Sequence, residues 1–123
     1  LLESDAAGVV ARNATDAQLQ TLQALHDELA ACIDDREKFF AVNERFHLQL
    51  LALADNRWRD QMVTDLRKVM KLNRHNSLFK QGRIEDSLAE HGAIMAALRA
   101  RDAVAATQTM QAHFRNGLQA AAA

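Results

Sequence analysis

Three histidines occupy helix-spaced positions at which apolar residues are expected. His47 follows Asn43 by four residues, so the two side chains share one helix face at adjacent turns. His91 and His113 each fall within an apolar stripe further along the chain. A buried imidazole needs partners for both ring nitrogens, and a divalent cation satisfies one nitrogen on each of several converging rings. The pattern therefore predicts either a metal site inside a helical bundle or three core histidines held by hydrogen bonds.

A second group of polar residues follows in a later helix. Arg67 and Arg74 continue a stripe that also contains Val63 and Met70, and Asn73 lies beside it. Arginine binds carboxylates through two parallel hydrogen bonds. Arg74, Arg67 and Asn73 are therefore candidates for binding an acidic effector in a cavity, and the alternative is a solvated helix face.

Enzymatic chemistry has less support in the sequence. Glu44 and His47 form a Glu-x-x-His pair, but a carboxylate-bridged di-iron site needs a second such pair and further glutamates. Glu90 immediately precedes His91 and is expected to point elsewhere on its helix. We therefore expect no carboxylate on the His47 or His91 face to serve as a general base, which favours reversible binding over a small metalloenzyme acting on a carboxylate.

The elements that must position these residues are helices. The 123-residue chain contains no proline and four glycines, and its residues are 49% hydrophobic. Thr15 with Gln18 has the form of a capping box, Asp34 with Glu37 repeats it, and Asn56 can cap a further helix. We predict an all-α fold, an antiparallel six-helix bundle. The first helix ends near residue 13. The other five cover about residues 16–33, 34–54, 56 to between 77 and 82, 84–100 and 103–120.

Composition also limits the partners of the chain. Fifteen basic and sixteen acidic residues give a net charge of -1, so the chain is not expected to bind DNA by itself. The one cysteine, Cys32, cannot form an internal disulfide, which suits a cytoplasmic location. The longest apolar stretch falls far short of the roughly 20 residues of a membrane span, so no membrane partner is expected. Residues 1–123 are interpreted as a single domain, a fragment that starts inside a helix.

The ordered set of motifs resembles a known family. Residues 43–47, read as NERFH, resemble the D-x-x-F-H motif of the FadR C-terminal (FCD) domain, found in transcription regulators of the GntR family. Residues 90–98 resemble the family's E-H-x-x-I-x-x-A-I block, and residues 110–114 resemble its M-x-x-H-L ending. The resemblance extends over essentially the whole chain.

This resemblance implies a function and a ligand set. Asn43, His47, His91 and His113 would bind a divalent metal, and a small carboxylate effector would complete the coordination. Zinc is the first expectation, with nickel, iron or manganese also compatible with three imidazoles and one oxygen. The chain departs from the family at Asn43, where aspartate is usual, and the missing negative charge predicts weaker metal binding.

The resemblance also implies partners. Such domains form homodimers, and their regulators contact DNA through an N-terminal winged-helix domain that this chain lacks.

Overall fold

The computed structural model describes residues 2–122, apart from the side chain of residue 122. Seven α-helices and no strand are present in this range, which confirms the predicted all-α class. The helices are α1 (Leu2–Asn13), α2 (Asp16–Ala30), α3 (Arg36–Leu53), α4 (Arg57–Val69), α5 (Lys71–Ser77), α6 (Arg83–Arg99) and α7 (Ala103–Ala122).

Helix starts follow the capping residues. The Thr15 hydroxyl accepts a hydrogen bond from the Gln18 amide at 3.1 Å, and the Gln18 side chain accepts one from the Thr15 amide at 2.8 Å. Asn56 caps α4 by accepting from the Arg59 amide at 3.0 Å. These bonds satisfy donors that the first helical turn leaves free, and both predicted caps are confirmed.

The boundary between α2 and α3 differs from the prediction. The second helix ends at Ala30, and residues 31–34 form turns before Asp35 caps α3. The Asp35 side chain accepts from the Lys38 amide at 3.2 Å. The cap is thus one residue later than the predicted Asp34, because two adjacent aspartates offer the same local signal.

The predicted fourth helix is two helices. Met70 has φ -92° and ψ 4°, which ends α4 and precedes α5. The carbonyl of Arg67, which a continuous helix would pair with the amide of Lys71, instead accepts a hydrogen bond from the Arg74 guanidinium at 2.8 Å. The break gives seven helices in place of the predicted six, and the Arg74 side chain satisfies the carbonyl that the break leaves free.

Two apolar clusters hold the bundle together. The larger one joins α1, α2, α3, α6 and α7 with Val63 of α4, and the smaller one packs α2 and α3 against Leu78 at the end of α5. Close packing of α1 on α7 requires Gly8, since a Cβ there would lie 2.7 Å from the Thr107 hydroxyl. Across residues 2–122, no helix has both the length and the apolar character needed to cross a lipid bilayer.

Candidate metal and effector site

The three histidines identified from the sequence lie together in the interior of the protein. His47, His91 and His113 come from α3, α6 and α7 and are 1%, 0% and 7% exposed. One ring nitrogen from each lies within 4.8 Å of the others. The Nε2 atoms of His47 and His91 are 3.3 Å apart. Three imidazoles on three helices therefore share one small region.

Two of these imidazoles are held by carboxylates. His47 contacts the Glu3 carboxylate through Nδ1, and His113 contacts Glu90 Oε1 through Nδ1 at 2.6 Å. A carboxylate that accepts from Nδ1 fixes the ring orientation and leaves Nε2 as a free electron-pair donor. The Nδ1 atom of His91 is buried without a hydrogen-bond partner.

These contacts correct two expectations from the sequence. Glu90 does not point away from the site, because α7 brings His113 against it. A carboxylate does lie beside His47, since α1 places Glu3 there. Sequence reasoning missed Glu3 because no local pattern connects it with a residue 44 positions later.

Burial keeps the imidazoles of His47 and His91 neutral. Burial, followed by the charge of Arg67, lowers the pKa of His47 well below 6.5, and burial lowers the pKa of His91 in the same way. Burial raises the pKa of Glu3, which the neighbouring Arg67 opposes. Although burial acts against it, hydrogen bonding by His113 and then Arg83 lowers the pKa of Glu90 to about 2. Neutral imidazoles are the form that ligates metals.

Asn43 has an unpaired oxygen near the cluster. Its side-chain oxygen is buried and has no hydrogen-bond partner. The residue lines the same cavity as His47 and His113 and lies one turn before His47 on α3. Burying an unpaired amide oxygen is costly, so this atom suits a cation as its partner. The donor set, three nitrogens and one oxygen, fits a divalent metal.

A cavity of about 590 Å³ is lined in part by His47 and His113. We call α4 and α5, residues 57–77, the α4–α5 wall; Arg67, Asn73 and Arg74 line the cavity from this wall. Most of the remaining lining is apolar. It includes Phe40, Val63, Leu66, Met70, Phe114 and Leu118.

Both arginines are already paired with carboxylates. Arg67 is buried and donates to Glu3 at 2.8 Å and to Glu44 at 2.9 Å. Arg74 donates to both oxygens of Glu44, at 2.7 and 2.9 Å. Asn73 is exposed, and its amide contacts the Met70 sulfur at 3.9 Å. The sequence did not indicate that Glu44 would take up both guanidinium groups.

One protein-family model matches most of the chain, and two solved structures are similar to it in fold. The FCD domain model matches residues 1–116. A solved structure titled Streptococcus agalactiae GntR is 26% identical, with a TM-score of 0.83 over 95% of this chain and 53% of its own. A second, titled E. coli McbR/YncC, is 21% identical and shares the fold, with a TM-score of 0.88 over 98% of this chain and 62% of its own. The chain thus spans less than two thirds of either structure, and no curated protein sequence matches it.

Proposed function

Because this chain belongs to the FCD domain family of transcription regulators, we propose that it senses a small organic acid through a bound divalent metal. The acid would bind in the cavity and shift the population between two arrangements of the bundle. A regulator of the GntR/FadR type would convert that shift into a change in DNA binding.

The observation that carries this proposal is the meeting of His47, His91 and His113 within 4.8 Å. These residues and Asn43 would hold the metal. When bound, the metal supplies a Lewis-acidic centre to which an effector carboxylate can bind. Zinc, nickel, iron and manganese are all compatible with this donor set, and zinc is favoured by its availability.

The carboxylates beside the metal site support a sensor over the alternative, a helical-bundle metalloenzyme. A hydrolytic enzyme needs a carboxylate free to take a proton from metal-bound water. Glu3 is occupied by His47 and Arg67, and Glu90 by His113 and Arg83. Both carboxylates orient imidazoles, which is what reversible ligand binding requires. Membership of a transcription-regulator family also argues against an enzyme.

Glu3 suggests how the site communicates with the rest of the bundle. Its two oxygens contact His47 on α3 and Arg67 on α4. Any change at the metal therefore acts on α1 and on the α4–α5 wall through one carboxylate. We place DNA contact in a separate N-terminal winged-helix domain, because the regulators in the structural matches are longer than this chain.

Self-association in the cytoplasm belongs to the same proposal. The outward side of α4 exposes Trp58, Met62 and Val69, with Trp58 72% exposed. Exposed apolar patches often mark protein interfaces, so this face is available to a second copy. Sedimentation equilibrium would give the mass of a dimer if the proposal holds.

Metal binding tests the proposal directly. Protein purified without a nickel column should bind one equivalent of zinc in calorimetry. His91→Gln should weaken zinc by more than about 100-fold, above the effect typical of residues that only orient a ligand. His75→Gln, a histidine outside the cluster, is the matched control. Failure of the parent protein to bind zinc, nickel, iron or manganese would refute the metal site.

The departure at Asn43 gives a second measure of the same site. Asn43→Asp supplies the negative charge that the family usually has and should tighten zinc by about 10-fold. Resistance to loss of zinc in a chelator titration is the measurement. Equal resistance in Asn43→Asp and the parent would contradict the charge argument.

A further inference from the structure

The cavity lining combines two kinds of chemistry. His47, His113 and Asn43 with its unpaired oxygen form a polar part. The apolar part includes Val63, Leu66 and Met70 from the α4–α5 wall and Phe114 and Leu118 from α7. A ligand that fills this space presents a polar head to the histidines and another surface to the apolar sides.

The three arginines that line the cavity are all paired with carboxylates, and Arg83 donates to both oxygens of Glu90. Four hydrogen bonds join Glu44 to Arg67 and Arg74, and Glu3 takes a further donor of Arg67. Two carboxylates thus balance two guanidinium groups, and these groups are buried or no more than one-fifth exposed. A second anionic group on a ligand would have to displace one of these carboxylates, of which Glu44 takes the most donors from the α4–α5 wall, or remain unpaired beside apolar side chains. Both outcomes are unfavourable.

We propose that the effector is an organic acid with one carboxylate and an apolar body, and that Glu44 excludes acids with a second, distant carboxylate. This rests on the proposed function, since the first carboxylate binds at the metal. Glu44 acts as a specificity-determining residue by occupying the two arginines that a diacid would need. A binding site that leaves the second carboxylate of a diacid unpaired discriminates between the two acids better than apolar contacts alone.

Two acids of equal length separate the possibilities. Octanoate and octanedioate carry the same head and chain and differ at the far end. Calorimetry with the zinc-loaded protein should show octanoate binding at least about 10-fold more tightly. In Glu44→Gln the preference should narrow or reverse, because the freed guanidinium groups can then pair with the second carboxylate. Glu37→Gln, an exposed substitution on the same helix, should keep the parent preference.

A second variant keeps the test decisive if Glu44→Gln does not fold. Leu66 lines the cavity but is 54% exposed, so Leu66→Lys should be tolerated and should raise octanedioate affinity alone. Equal or tighter binding of octanedioate by the parent would overturn the proposal. Zinc binding with no affinity for octanoate would overturn it too while leaving the metal site intact, whereas absence of zinc binding would refute the proposed function itself.

Discussion

The histidine cluster and the α4–α5 wall border one cavity but are stabilised in different ways. His47, His91 and His113 lie on three helices whose inner faces are packed in the larger apolar core. The wall buries Val63 and Arg67 from α4 and Ser77 from α5, while most of its large apolar side chains are exposed. Packing positions the cluster, whereas the wall combines the packing of Val63 and of α5 on α7 with ion pairs to Glu3 and Glu44.

This difference suggests where the domain can move. Local stability follows the density of buried contacts, so the wall should open more readily than the cluster. The break at Met70 divides the wall into two short helices, which further limits its own stability. A ligand entering the cavity would then shift the wall against a cluster that stays in place.

Removing the ion pair between Arg67 on the wall and Glu3 on α1 should have the largest effect on stability. Arg67→Met leaves Glu3 buried without its cation, so we expect the free energy of unfolding to fall by about 3–5 kcal/mol. Arg74→Met is the matched substitution on the same wall and should cost about 1–2 kcal/mol, because Arg74 and Glu44 are partly solvated. Urea denaturation measures both. Equal losses of free energy in the two variants would show that Arg67 joins the wall to the cluster no more strongly than Arg74 does.

Acid should destabilise the metal-free protein through His47 and His91 at a higher pH than through Glu90. The folded state keeps His47 and His91 neutral, whereas the unfolded chain protonates them near pH 6.5, so the unfolded state binds more protons below that pH. Above pH 6.5 the two histidines do not reduce the free energy of unfolding. Below pH 6.5 they lower it by up to about 2.7 kcal/mol per pH unit. Glu90, with its pKa at about 2, adds a loss only below about pH 4.5.

One substitution isolates this histidine contribution. Burial raises the pKa of Glu3, so its protonation offsets part of the total slope, and the difference between variants is the sharper measure. His91→Gln in a chelator should reduce the slope between pH 6.5 and 5 by one proton, about 1.4 kcal/mol per pH unit. Urea titrations at several pH values give the slopes, and parallel curves for the parent and His91→Gln would contradict the prediction.

Changing the carboxylate that orients His113 should have the smallest effect of the three, and it should act on zinc affinity. Glu90→Gln removes the carboxylate that orients His113 and should weaken zinc binding by about 10- to 100-fold. Glu85→Gln is an exposed substitution on the same helix and should leave zinc affinity unchanged. Calorimetry with zinc compares them. Equal affinities would mean that packing alone orients His113.

Helical spacing and local capping were enough to anticipate much of the fold. Thr15 and Asn56 start helices because each satisfies amides within three residues of itself, a relation that the sequence displays directly. The break at Met70 escaped prediction because no proline or glycine marks it, and only the folded chain shows Arg74 bonded to the carbonyl of Arg67. The same limit applied to both arginines, which could be placed on a helix face but not paired with Glu44.

The sequence by itself determined which residue types could do chemistry and which of them share a helix face. A 3.6-residue period fixes the direction of His47 relative to Asn43 whatever surrounds the helix. Tertiary structure alone decided that Glu3 meets His47 across 44 residues and that Glu90 meets His113 across 23. Such contacts depend on how separate helices pack, and no local periodicity encodes the distance between two helices.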